Sequence, residues 1–137
     1  MQASNWNSLL KLLGLIILVD GKVYHEEVDA FTMAAIKLQK MLNPDMFLSQ
    51  MMIIDWFKNH RDALKAIVDS LEYDSHLIEI INPIRGLPQK KQVLNAMISI
   101  AESDSFYHSK EHMIINKAAR YWNVSVSELN LDPRRVR

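Results

Sequence analysis

"LVDGKVYHEE", residues 18 to 27, interrupts the first apolar stretch of the chain and decides how the rest is read. Upstream, Leu12 to Val19 is apolar on every side; downstream, helical periodicity resumes behind Glu26 and Glu27. Gly21 suits the left-handed position that closes a helix. Carboxylates in a first turn meet the positive end of a helix dipole, and Glu27 is placed to cap backbone N–H groups. Asp20 and Glu27 therefore either end one helix and begin the next, or hold an ion. A second stretch, "ESDSFYHSKEH" at residues 102 to 112, poses the same choice.

The chain has 137 residues, enough for one domain with a single core. Formal charges balance to zero, so no overall field draws it to nucleic acid or anionic lipid. There is no cysteine, which excludes disulfides, thiolate metal sites and a cysteine nucleophile, and fits a reducing compartment. The run Leu12 to Val19 is far shorter than the roughly 20 residues that span a bilayer. Neither a basic cluster before it nor a small-residue cleavage site after it marks a signal peptide. A soluble, cytoplasmic protein is expected.

The periodicity is helical almost throughout, and no alternating β-branched run reads as a strand. The expectation is an all-α domain over residues 1–137 with about seven helices. The first runs from Ser4, a candidate N-cap, to Val19, and its all-round apolarity places it at the centre. The second covers His25 to Leu42. Asn43-Pro44 supplies an N-cap and first-turn proline for a third, carrying Met46, Phe47, Met51, Ile54, Trp56 and Phe57. A fourth spans Arg61 to Leu71, and a fifth Ser75 to Ile81, ended by Pro83 and Gly86. Pro88 opens a sixth, reaching Ser103, and a seventh runs from Ser109 to Trp122. A short turn at Ser127 to Leu129 closes the chain.

A weak internal repeat ties the two interruptions together. Asp20 and Asp104 are separated by the same 84 residues as Glu27 and Glu111 (104 − 20 and 111 − 27). "VDGKVYHEEVDAF" and "SDSFYHSKEHMII" are its two copies. Together with "LGLIILVDGKVYHEEVDAF", "LNAMISIAESDSFYHSKEHMIINKAARYW" and the ending "NVSVSEL", they make nearly the whole chain resemble the TerB-like domains. That family is named for a tellurite-resistance protein and also occurs in a DnaJ-like co-chaperone. The resemblance implies about seven helices with a pseudo-repeat. It also implies that Asp20, Glu27, Asp104 and Glu111 bind a divalent cation; ligand preference gives calcium for an all-oxygen set and zinc if His108 or His25 joins. The second copy departs from the family in having Ser105 where Gly is frequent. Tyr24 and His108 likewise stand where a small N-cap is usual.

Capping explains each copy separately without a metal. It accounts for the recurrence of Asp104 and Glu111 only as duplication of a capping motif. A hard cation would gain from carboxylate oxygens converging from both copies, each offsetting lost hydration.

Sharper motifs fit less well. "DGKVYHEEVD" places Gly directly after its first Asp, which no EF-hand loop does. His108 to His112 spells the H-x-x-E-H of a zinc protease, but His108 falls at a helix start, with no third ligand or cleft in evidence. "AARYWNVSVSEL" looks like the centre of a helix-turn-helix, yet its second helix would contain Glu128 and run into Asp132-Pro133. Basic residues occur there only in the tail, at Arg134, Arg135 and Arg137. His60 and His76 read as lone surface or capping histidines. The Met, Trp and Phe cluster of the third helix reads as core, with Met52 and Trp56 as its exposed docking edge.

The resulting expectation is a non-enzymatic helical interaction module with a protein partner and no catalytic residues. Neither nucleic acid nor membrane insertion is expected, and a homodimer is compatible with the sequence. The competing reading is a DNA-binding regulator that uses the C-terminal turn.

Overall fold

Leu9, Leu10, Leu12, Leu13, Leu15, Ile16, Ile17 and Leu18 are all buried, on every side of one helix. From Leu12 to Leu18 no exposed face remains, because neighbours surround this part of the helix. In the computed structural model, which describes residues 3–18, 25–42, 44–45, 48–70, 73–103 and 109–125, it is α1, Ala3–Leu18. Around it stand α2 (His25–Leu42), α3 (Gln50–Val68), α4 (Tyr73–Ile81) and α5 (Lys90–Ala101), each in contact with α1. A 3-10 turn, Asn82–Ile84, follows α4, and α6 (Ser109–Tyr121) packs on α5. The described residues are helical or irregular, with no strand among them. The expected all-α fold and central first helix are both present.

The described helices number six rather than seven, because the expected third and fourth are one. Residues 58–62, "KNHRD", look like a break in sequence. They hold neither Gly nor Pro, so nothing stops the backbone from continuing. Ile53, Phe57 and Leu64 keep one buried face through this stretch, and the charges line the opposite one. The start also differs from expectation. Pro44 and Asp45 lie in a turn, and Ser49 is the N-cap, its hydroxyl oxygen accepting from Met52 N–H at 3.2 Å. Met46 and Phe47 lie outside the described residues, as does the expected turn from Ser127 to Leu129.

Gly14 of α1 faces side chains of α3. A Cβ there would lie 2.8 Å from Leu64 Cδ1, so the end of that leucine side chain would have to shift to admit it. The glycine is where the larger helix, α3, meets the central one.

Candidate functional site

The repeat seen in sequence extends through the core. At the 84-residue interval, buried Leu9, Leu10, Leu13 and Ile16 of α1 match buried Val93, Leu94, Met97 and Ile100 of α5. Phe31, Ala34, Ala35 and Leu38 of α2 match Ile115, Ala118, Ala119 and Trp122 at the end of the chain's second half. The chain therefore holds two related hairpins, α1–α2 and α5–α6, with α3 and α4 between them in sequence. α5 packs against both α2 and α6, so the two candidate helix starts belong to helices sharing one neighbour.

Glu27 is the third residue of α2 and Glu111 the third of α6. Both have 0% exposure. A carboxylate that only complements a helix dipole can do so from the surface, where the desolvation cost is small. Complete burial is costly unless the charge is compensated. Asp20, Asp104 and His108 lie outside the described residues. No group of three or more metal-ligating side chains occurs among those that are described.

The end of α6 explains the turn singled out in "AARYWNVSVSEL". Asn123 has φ of 59°, and Val124 N–H reaches Ala119 O at 2.8 Å while Asn123 N–H reaches Arg120 O at 3.2 Å. This pair of bonds is a Schellman ending, with Asn in place of the more frequent Gly. Lys90 Nζ donates to Trp122 O at 3.2 Å, placing a cation on the same carbonyl end. A helix terminus of this kind needs no DNA-binding role.

A profile of the family described as "Tellurite resistance protein TerB" matches residues 7–132, nearly the whole chain. The chain belongs to the TerB family. No significant match to a curated protein or to a solved structure was found. No described helix of this TerB domain is long and apolar enough to cross a membrane.

The expected docking edge of the TerB domain needs correction at Trp56. Met52 is 48% exposed, but Trp56 is half-buried and tied down. Its indole N–H donates to Asn7 Oδ1 at 3.2 Å, and its ring stacks on His60 with centroids 4.2 Å apart. His60 Nδ1 lies 2.8 Å from Trp56 O, so that nitrogen carries the proton and donates. The pattern of one aromatic every few residues could not distinguish an exposed edge from a second row of core. Exposed methionines instead lie on three helices, at Met33, Met41, Met51 and Met113 as well as Met52.

Tyr73 carries no periodic signal in the sequence. It falls in "SLEYDSH", read as a connection, whereas α4 begins at this residue. Its hydroxyl is buried, with no hydrogen-bond partner among the described residues. Burial, and secondarily the Asp74 carboxylate, push its pKa up to about 12. Only the interval of polar residues with one tyrosine hinted at this, and it carried no periodic signal.

Proposed function

We propose that this TerB domain is a non-enzymatic interaction module in which a divalent cation joins the duplicated helix starts, with Asp20, Glu27, Asp104 and Glu111 as ligands. The observation that supports the reading is the full burial of Glu27 and Glu111 at matching helix positions. A hard cation offsets the cost of burying several carboxylates, because each oxygen replaces part of its hydration shell. Calcium is favoured by an all-oxygen set, and zinc if His25 or His108 joins. The ion would fix the two hairpins relative to one another. The module would then dock to a protein partner in a stress-linked assembly of the cytoplasm, or to a second copy of itself. Exposed methionines supply adaptable contact surface for such docking.

Calorimetric titration of the wild type and of Asp104→Asn with calcium, magnesium and zinc tests the site. Wild type should bind one ion and gain thermal stability with its concentration, as mass action requires. Asp104→Asn should lose the response while remaining as stable without metal. Flat traces for both proteins would leave duplicated capping as the explanation. DNA binding would appear separately, as a gel shift that persists at moderate salt on one sequence only.

A further inference from the structure

Between α4 and α6 lies an open cavity of about 1010 Å³, in the size range of small-molecule sites. Its apolar lining includes Val68, Leu77 and Met113, the last 68% exposed at the rim. Its polar lining is of a different kind. Lys117 Nζ donates to Asp74 Oδ1 at 2.8 Å, so those two charges compensate each other across the cavity. Arg120 sits three residues further along α6, on the same helical face. It is exposed, and its guanidinium has no partner among the described residues. Among the described residues the cavity therefore presents one positive charge without a partner, beside apolar surface. Tyr73 also lines it, with its hydroxyl buried rather than turned to the opening.

We propose that this cavity binds a small molecule with a hydrocarbon body and one carboxylate, the body on Val68, Leu77 and Met113 and the carboxylate on Arg120. Charge selects the class. An arginine fork pairs with a carboxylate through two parallel hydrogen bonds, whereas an organic cation would meet like charge. A neutral chain of the same length would gain the apolar contact alone. The site is separate from the helix starts of α2 and α6 and does not depend on a metal there.

Decanoate, kept below its micelle-forming concentration, is the probe, with decyltrimethylammonium as its cationic counterpart. Titration into the full chain should give saturable one-to-one binding of decanoate, and amide shifts confined to α4, α6 and the end of α3. The cationic amphiphile should not saturate. Arg120→Glu should weaken decanoate by at least about tenfold, and Arg120→Lys should fall between the wild type and Arg120→Glu, keeping the charge but losing the paired hydrogen bonds. Arg120 is exposed, so circular dichroism should show both variants folded. The proposal is overturned by any of three results: no saturation with decanoate, equal binding of the two amphiphiles, or an affinity unchanged in Arg120→Glu.

Discussion

Trp122 donates its indole N–H to the backbone carbonyl of Ile81 across 2.8 Å, in the buried core. The bond joins the end of α6 to the point where α4 passes into the 3-10 turn. Trp122→Phe removes the donor, leaves that carbonyl short of a buried partner and opens a small void. Each effect is unfavourable, the first by about 1–3 kcal/mol. Trp122→Ala should cost about 3–5 kcal/mol. Urea unfolding of the two variants should rank them in that order, and a loss below about 1 kcal/mol for Trp122→Phe would contradict the assigned role.

Gly14 should tolerate no branched side chain. Gly14→Val would drive atoms into Leu64 from an already close 2.8 Å, and overpacking of this kind costs about 1–3 kcal/mol. Gly14→Ala is milder, since a helix-propensity gain of about 1 kcal/mol opposes the contact. In a Leu64→Ala background the penalty of Gly14→Val should shrink, because the colliding methyl is gone. A double-mutant cycle showing simple additivity would place the strain elsewhere.

Tyr73→Phe should leave the fold as stable or make it more stable. It deletes a buried hydroxyl that has no hydrogen-bond partner among the described residues, a group that itself costs stability. The pH response follows from the raised pKa. The unfolded chain releases this proton near pH 10.0, whereas the folded protein holds it to about 12. Wild-type stability therefore declines from about pH 10 to 12, where only the unfolded state is deprotonated. Melting curves across that window should fall more steeply for wild type than for Tyr73→Phe. Parallel curves would show that Tyr73 is hydrated in the folded state.

Met52 and Trp56, one helical turn apart on α3, should behave differently. Met52 is 48% exposed, so Met52→Ser should change stability by no more than about 0.5 kcal/mol. Trp56 packs near Phe31, with ring centroids 6.4 Å apart, besides its contacts to His60 and Asn7. Trp56→Ala should cost about 2–4 kcal/mol, toward the lower part of the range for buried aromatics because the ring is only partly covered. Equal melting temperatures for the two variants would restore Trp56 to an exposed docking edge.

The helical class, the central place of α1 and the matching positions of Glu27 and Glu111 at two helix starts were legible in the sequence. These rest on local signals, an apolar run and carboxylates at a fixed interval; Gly21, read as closing the first helix, lies outside the described residues. Periodicity could not tell that "KNHRD" continues a helix, since a polar run reads alike as a connection or as a solvent face. Only packing against α1 and α2 gives α3 its continuous buried side through Ile53, Phe57 and Leu64. Nor could spacing show that Glu27 and Glu111 are wholly enclosed, because first-turn carboxylates have the same sequence signature whether exposed or buried. Tyr73 and Arg120 come to one cavity from helices far apart in the chain, and no local pattern records that. Tertiary contacts decide it, because burial and proximity belong to neighbours that a linear reading does not see.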